Sequence, residues 1–331
     1  MYVFGDSLVD VGNNNYLELS LIKADFPYNG IDYPGGRATG RFSNGKNAAD
    51  FLAEKVGLPS GAPYLGQPNG VFVKGVSFAS EGAGIFNTTD ETLIKHTIPL
   101  AHQLGHFSTV RQRLAKELGS NLQDHLSKSL FPVVIGSNDI INYFKTGSDA
   151  SQKYSPQQYV TLMVSSFKEL LKTVNYLSDP FQTQGMYGLG AHKFVVTGIA
   201  LIGCAPKVRY TSPTGECNKD VNYWAKKYND ELTTMLHELK SELKEFQYSY
   251  FDTYGVFTEF IQSPATYGSM TQNPLAVDWE NSGPSFLARR LRCFVQREVI
   301  TFSGTCTILR RQLLAFSLIC FGEVQEIIHS P

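Results

Sequence analysis

Short apolar runs alternate along this chain with segments in which apolar residues recur at helical spacing. Continuous apolar runs are typical of strands that are buried on both faces of a parallel sheet. The runs are Tyr2–Phe4, Val71–Ala79, Leu130–Ile135, Lys193–Ile199 and Phe246–Phe251. The pattern therefore predicts an α/β fold in three layers, with a central parallel sheet covered by helices on both faces.

Four of the intervening segments carry helix signals. Residues 47–56 are followed by Gly57 and Pro59, which stop a helix, and Ser155-Pro156 reads as an N-cap with proline in the first turn. Apolar stripes mark one face of three longer segments: Leu104–Leu118, Tyr159–Leu177 and Val221–Leu243. The chain has 331 residues, with no internal repeat and no inter-domain linker, which is compatible with one large core.

Three polar or glycine positions follow the first three predicted strands, at the edge where parallel sheets place their sites. Ser7 follows the first strand, Gly82 the second and Asn138 the third. Each has an ordinary alternative, since Ser7 could cap a helix, Gly82 could form a flexible turn and Asn138 could cap a turn or helix. Together they describe a serine nucleophile surrounded by hydrogen-bond donors for an oxyanion.

The motifs around these residues resemble the plant GDSL esterase/lipases of the SGNH hydrolase superfamily. The similarity extends from Tyr2 to about Gly268, with Ser77 at a position where asparagine is usual. The matching stretches are Phe4–Asn14, Gly40–Lys46, Gly75–Ile85, Ile135–Asp139 and Lys193–Pro206. The resemblance implies a flavodoxin-like sheet and hydrolysis of lipid or small esters. No Gly-x-Ser-x-Gly elbow occurs, which argues against the α/β-hydrolase fold.

By this resemblance Ser7 is the nucleophile, and the N–H groups of Ser7 and Gly82 form the oxyanion hole with the Asn138 side chain. Neither a metal nor an organic cofactor is implied. The family supplies its base from an Asp-x-x-His pair near the C-terminus, and this sequence contains no Asp-x-x-His. His102, His106 and His237 are expected to be solvated, and Glu326-Ile327-Ile328-His329 is a poor substitute.

The remaining histidines, His96, His125 and His192, fall in polar stretches that resemble loops. From about Thr271 the chain no longer resembles the family, which predicts a hydrolase domain over residues 1–270, incomplete at both ends, and an irregular tail over 271–331. A reading-frame shift would explain the tail. Shifted codons can restore an Asp across Gly304 and Thr305 and a His across Thr307 and Ile308.

Composition and charge limit the classes of partner that the chain is expected to bind. The net charge of −1 gives no basic field for nucleic acid, and no apolar run is long enough to span a membrane. The abrupt start at Met1 indicates a truncated N-terminus. Family resemblance predicts a secreted protein, in which Asn87-Thr88-Thr89 would be a glycosylation site. Cys204 and Cys217 flank a loop and could form a disulfide or remain two thiols.

Two functions follow from the missing base. The chain is either an ester hydrolase that acts through an acyl-Ser7 intermediate but is impaired, or a catalytically inactive relative that binds acyl or aryl ligands in the same cleft. A nucleotide- or flavin-binding module is disfavoured, because Gly188-Leu189-Gly190 precedes a predicted strand instead of following one.

Overall fold

Five short strands form one parallel sheet in a computed structural model of the chain. The structure describes residues 1–263 except 21, 69, 71, 90–96, 173–184, 206–207, 210–211 and 213, together with two strands beyond them. The strands are β1 Tyr2–Gly5, β2 Val76–Ser77, β3 Leu130–Val134, β4 Lys193–Thr197 and β5 Gln247–Phe251. A separate antiparallel pair consists of β6 Phe294–Val295 and β7 Glu298–Val299.

The strand order is β2-β1-β3-β4-β5, and every neighbouring pair in this sheet is parallel. This is the flavodoxin-like order, in which the chain direction across the sheet reverses at β1 and β3. The predicted α/β class and flavodoxin-like sheet are therefore confirmed. Such a reversal leaves a crevice beyond the carboxyl ends of β1 and β3, which is where the sequence placed its candidate residues.

Eight α-helices lie in the described part of the chain. They are α1 Ala48–Lys55, α2 Leu100–Leu118, α3 Leu122–Ser127, α4 Ser137–Tyr143, α5 Asp149–Lys153, α6 Pro156–Lys172, α7 Lys219–Glu242 and α8 Thr253–Gln262. Short 3-10 helices occur at Asn13–Tyr16, Tyr64–Gly66, Gly119–Asn121 and Ile202–Cys204. The four predicted helical segments correspond to α1, α2, α6 and α7. Local caps begin two of these, since Asn47 forms a capping box on α1 and the Asn218 side chain accepts the N–H of Val221 on α7.

The side chains of each strand alternate between two separate cores. Tyr2 and Phe4 of β1 pack into the larger core with α2, α6 and α7, whereas Val3 packs into a smaller core with α1 and α8. All three of these side chains are at most 1% exposed. A strand that is buried on both faces has no solvent-facing positions for polar side chains. This explains why these strands appear in the sequence as unbroken apolar runs.

The second apolar run is the one that differs most from its strand. Among the described residues of the predicted Val71–Ala79 segment, Val76–Ser77 alone is a strand of the sheet. Residues Phe72–Gly75 form a turn in which the Gly75 N–H donates to the Phe72 carbonyl oxygen at 2.9 Å. Gly75 has φ +93°, a conformation that glycine adopts at little cost, so the run breaks there although its side chains are apolar.

The loop after β4 contains the two cysteines whose state the sequence left open. Cys204 and Cys217 form a disulfide, with Cα atoms 4.3 Å apart. It closes the turn-rich segment between the 3-10 helix Ile202–Cys204 and α7. The predicted tail over 271–331 lies outside the described residues, apart from β6 and β7, and the boundary at residue 270 stays a prediction.

Candidate active site

Ser7 lies in a single tight turn directly after β1. The backbone N–H of Asp10 donates to the Asp6 carbonyl oxygen at 3.0 Å, and the Leu8 N–H donates to the Asp6 carboxylate at 3.0 Å. Asp6 therefore caps this turn. Ser7 is 2% exposed, and its Oγ has no hydrogen-bond partner among the described residues, so the helix-cap alternative for Ser7 is wrong.

The end of β1 requires glycine because the chain is crowded there. A Cβ atom on Gly5 would lie 2.3 Å from the Val134 carbonyl oxygen of β3. The Gln103 side chain of α2 accepts the Gly5 N–H at 2.9 Å and donates to the Gly5 carbonyl oxygen at 2.8 Å. This exchange of two hydrogen bonds resembles strand pairing and fixes the residue from which the Ser7 turn starts.

Gly82 lies in a defined turn after β2. The Ala83 N–H donates to the Ser80 carbonyl oxygen at 3.1 Å, and Gly82 has φ +76°, which suits the third position of a type II turn. The Asp10 carboxylate links this turn to the Ser7 turn, because it accepts the N–H of Glu81 at 3.2 Å as well as those of Gly12 and Asn13 at 2.7 Å. The Gly82 loop is thus held beside the loop that carries Ser7.

Asn138 lies in the first turn of α4, after β3. Its Nδ2 donates to the Ala83 carbonyl oxygen at 2.9 Å, and the residue is 6% exposed. A side-chain amide carries two N–H groups, so this bond orients the amide while one N–H stays available for a ligand. Asn138 does not cap the helix; Gly136, with φ +110°, occupies the cap position. The structure therefore connects the loops of Ser7, Gly82 and Asn138 at one edge of the sheet.

Among the buried carboxyl groups of these loops, those of Asp6, Asp10 and Asp139 have raised pKa values. The pKa of the Asp6 carboxyl is raised to about 7, mainly by burial and also by the nearby Asp139, against the lowering effect of the hydrogen bond from Leu8. Burial likewise raises the pKa of Asp10 and of Asp139 to about 6, against the lowering effect of their hydrogen bonds. None of the salt bridges among the described residues includes these groups. The loops therefore place carboxyl groups near Ser7 with hydrogen bonds as their main stabilisation.

No histidine in the described part of the chain hydrogen-bonds to Ser7. His102 and His237 are exposed as expected, whereas the prediction that His106 is solvated is wrong. His106 is half-buried because its ring stacks on Tyr64, with centroids 4.6 Å apart, and burial lowers its pKa. His125 lies in α3 instead of a loop and hydrogen-bonds to the Tyr2 hydroxyl at 2.9 Å. His96 and Glu326–His329 lie outside the described residues.

The second stretch that resembles the family, Gly40–Lys46, contacts the first helix, α1. Arg41 forms a buried bidentate ion pair with Asp50 of α1, at 2.6 and 2.8 Å. The neighbouring Asn47 side chain donates to the Asp10 carbonyl oxygen at 3.0 Å. Asn47, which follows this stretch directly, therefore joins the end of the Ser7 loop to the first helix, and Arg41 binds the same helix. The sequence motif did not reveal these contacts.

Other features lie away from this edge. A cavity of about 690 Å³, bordered by Met1, Leu130 and His125, opens at the amino edge of the sheet, opposite Ser7. Among the described residues, no group of three or more His, Cys, Asp or Glu side chains is placed to hold a metal ion. No described helix combines the length and apolar character that crossing a bilayer requires.

Comparison with known proteins agrees with this geometry. Residues 1–285 match the sequence profile of the family described as GDSL-like lipase/acylhydrolase. The chain belongs to this family. Three GDSL esterase/lipases of Arabidopsis thaliana are similar to it, at 46%, 37% and 35% identity. Their alignments cover 81%, 82% and 82% of this chain and 70%, 72% and 74% of the relatives, respectively.

This GDSL-family chain is thus a carboxylic ester hydrolase by descent, as the sequence motifs predicted. Sequence reasoning missed two supporting residues of the site, Asp10 and Thr89. Asp10 follows Ser7 by three residues in the first motif, a spacing at which a carboxylate can accept the N–H groups of the next turn. Thr89 appeared only as the third residue of the sequon at Asn87, which is exposed, whereas Thr89 is 2% exposed.

Proposed function

We propose that Ser7 is the nucleophile of an ester hydrolase that forms an acyl-serine intermediate. In the first step, Ser7 Oγ would attack the carbonyl carbon of the ester and lose its proton to a base. The carbonyl oxygen would become an oxyanion, held by the N–H groups of Ser7 and Gly82 and by the Asn138 side chain. Collapse would expel the alcohol, which takes up the proton, and water would then release the acid and restore Ser7.

The observation that carries this proposal is the buried Ser7 Oγ without a partner, at the point where three loops meet. A buried hydroxyl without a hydrogen bond costs about 1–3 kcal/mol, so a fold gains no stability from keeping one there. The bond from Asn138 to Ala83 supports the role of the amide, since it holds the amide against the Gly82 loop. The site therefore combines a serine hydroxyl with hydrogen-bond donors for an oxyanion, and these are the groups that acyl transfer requires.

The base is the part that the described residues do not supply. Serine at neutral pH needs a base to take its proton, and removal of one triad member leaves only a small residual rate above that of water. We therefore propose that this chain hydrolyses esters poorly, and that a reading-frame shift removed the Asp and His. The second candidate function, binding of acyl or aryl ligands in the cleft without turnover, is favoured by the same observation that no base contacts Ser7 among the described residues.

A paired assay separates these functions. The full chain and a version with the tail frame restored are each incubated with a short-chain aryl ester, with Ser7→Ala as the control in both backgrounds. We expect the printed chain to stay near background and the restored chain to gain activity that Ser7→Ala abolishes. Normal esterase rates in the printed chain, dependent on Ser7, would show that another residue serves as base. A restored chain without Ser7-dependent activity would refute the nucleophile assignment.

The sequence of the transcript tests the proposed reading-frame shift. Sequencing across the codons for residues 271–331 either reveals the shift or establishes the printed tail as a real variant.

We also propose that the protein is secreted. The disulfide between Cys204 and Cys217 supports this, because such bonds persist in oxidising compartments. Expression behind a secretory leader should yield protein in which these two thiols resist alkylation until they are reduced. Thiols that react at once in the secreted protein would contradict the proposal.

A further inference from the structure

A carboxylate-centred cluster lies immediately behind the proposed oxyanion site. The Asp139 carboxylate accepts the N–H of Ile85 at 2.9 Å, the N–H of Phe86 at 3.2 Å and the Thr89 hydroxyl at 2.6 Å. Asp139 is fully buried and Thr89 is 2% exposed. A short O–H···O bond to a carboxylate is among the stronger hydrogen bonds in proteins, so Thr89 is a major partner of this group.

The local sequence is shaped for this contact. A Cβ atom on Gly84 would lie 2.4 Å from Thr89 Oγ1 and 2.6 Å from Asp139 Oδ1, so only glycine lets the two side chains approach here. Thr89 Oγ1 lies within reach because the Thr89 N–H donates to the Phe86 carbonyl oxygen at 3.2 Å, which closes a turn. The local sequence and turn geometry of the loop after β2 therefore produce this cluster.

The cluster connects the two loops that supply oxyanion donors. Asp139 follows Asn138 in α4, and its acceptor bonds fix the backbone at Ile85 and Phe86, in the loop that contains Gly82. In the opposite direction, Asn138 donates to the Ala83 carbonyl oxygen of the same loop. The two loops are thus joined at two points, and the Thr89 hydroxyl stabilises one of them.

We propose that Thr89 is a positioning residue of the active site. Its hydroxyl keeps the Asp139 carboxylate ionised and bonded, and that carboxylate holds the Asn138 amide and the Gly82 loop in the arrangement that receives the oxyanion. This inference rests on the proposed function of Asn138 and Gly82. Thr89 itself touches no substrate.

Removal of the hydroxyl has a defined electrostatic consequence. The hydrogen bond from Thr89 lowers the pKa of Asp139 against the larger raising effect of burial. Thr89→Val keeps the shape of the side chain and deletes the donor, so the carboxyl should take up its proton at a higher pH. Thr89→Ser keeps the donor and should preserve the wild-type behaviour, which separates the hydroxyl from the bulk of the side chain.

Glycosylation is a confounding factor that the experiment must remove. Asn87-Thr88-Thr89 is a sequon, so Thr89→Val would also abolish any glycan on Asn87. The variants are therefore produced in the bacterial periplasm, which permits the disulfide but adds no glycan of this type, and Asn87→Gln serves as a second control. Thr253→Val is the matched control for a buried threonine, since the Thr253 hydroxyl donates to the Phe251 carbonyl oxygen far along the sheet, at β5.

The main readout does not need turnover. Selective ¹⁵N-asparagine labelling of the full chain follows the Asn138 side-chain signal from pH 4 to 8, and amide hydrogen exchange follows Ile85 and Phe86. We expect Thr89→Val to raise the pH midpoint of the change in the Asn138 signal, which reports protonation of Asp139, by about half a pH unit or more. The same variant should speed amide hydrogen exchange at Ile85 and Phe86 by about tenfold. Thr89→Ser, Asn87→Gln and Thr253→Val should stay at wild-type values. An unchanged midpoint and exchange in Thr89→Val would overturn the proposal, as would the same changes in either control.

Phosphonylation of Ser7 by an aryl phosphonate, measured in the chain with the tail frame restored, tests the functional consequence and separates failure of the Thr89 proposal from failure of the nucleophile proposal. We expect Thr89→Val to lower the maximal rate of labelling at least tenfold with an unchanged half-saturating concentration, and Thr89→Ser to restore it. If Ser7 of the frame-restored chain does not react at all, the nucleophile proposal fails while the Asn138 and exchange data still decide whether Thr89 positions this cluster. Equal labelling rates in wild type and Thr89→Val would refute the positioning role.

Discussion

Replacement of Ser7 by alanine should stabilise this protein. The Ser7 hydroxyl is buried and has no partner among the described residues, and a buried unsatisfied polar group costs about 1–3 kcal/mol. Alanine keeps the Cβ atom and deletes only this hydroxyl, so no cavity of consequence forms. We expect the free energy of unfolding to rise by about 1 kcal/mol, which corresponds to an increase in Tm of about 2–4 °C for a domain of 150–250 residues.

Ser80→Ala is the matched control, because Ser80 is another buried serine at the same edge of the sheet. Its Oγ donates to Asn14 Oδ1 at 2.5 Å and accepts the Ile98 N–H at 3.1 Å. Truncation there leaves a buried N–H without its partner and should cost about 1–3 kcal/mol. The two serine variants should therefore shift stability in opposite directions.

Denaturant and thermal unfolding of wild type, Ser7→Ala and Ser80→Ala measure both shifts under identical conditions. A loss of stability in Ser7→Ala would refute the reasoning, because it would show that the hydroxyl makes a stabilising bond to a part of the chain outside the described residues. Such a result would also direct the search for a base to that part.

Three further predictions concern charges and hydroxyls near the site. Arg41→Ala should cost about 3–5 kcal/mol in denaturant unfolding, because it leaves the carboxylate of Asp50 buried without its ion-pair partner. Because burial raises the folded-state pKa of Asp6 to about 7, the folded protein binds more protons than the unfolded chain between about pH 4 and pH 7. Stability should therefore fall as the pH rises through this window, and Asp6→Asn should flatten the dependence in unfolding curves measured at several pH values; an equally steep curve would contradict the assignment. Tyr228→Phe should raise the free energy of unfolding by about 1 kcal/mol, since the buried Tyr228 hydroxyl also has no partner among the described residues, and a lower Tm would disprove this.

The sheet and its main helices could be predicted from the sequence because their signals are local. Strands buried on both faces read as apolar runs, and α7 reads as a stripe that Val221, Tyr228 and Leu232 share. The run Val71–Ala79 was longer than its strand because a turn that depends on Gly75 interrupts it, and backbone sterics are not visible in hydropathy. The fold class could be predicted because it follows from the periodicity of apolar residues alone.

The candidate site was predictable only where a residue lies directly beyond a strand. Ser7, Gly82 and Asn138 met that condition, and their motifs also carried the family resemblance. Asp10 and Thr89 act across loops instead: the Asp10 carboxylate accepts the Glu81 N–H from 71 positions away, and Thr89 reaches Asp139 from 50 positions away. Periodicity contains no information on such contacts. The pairing of Cys204 with Cys217 also depended on distance in space.

The Gln103 side chain has a consequence for ligand binding. Where β1 reaches its last residue, the amide of Gln103 occupies the position of a neighbouring strand, with bonds to both backbone groups of Gly5 and a third, at 2.8 Å, to the Ile98 carbonyl oxygen. β1 is an inner strand, between β2 and β3, and β2 ends at Ser77. The Ser7 turn therefore starts from a residue that is already held on both sides, so that little further conformational entropy is lost there when a ligand binds in the crevice.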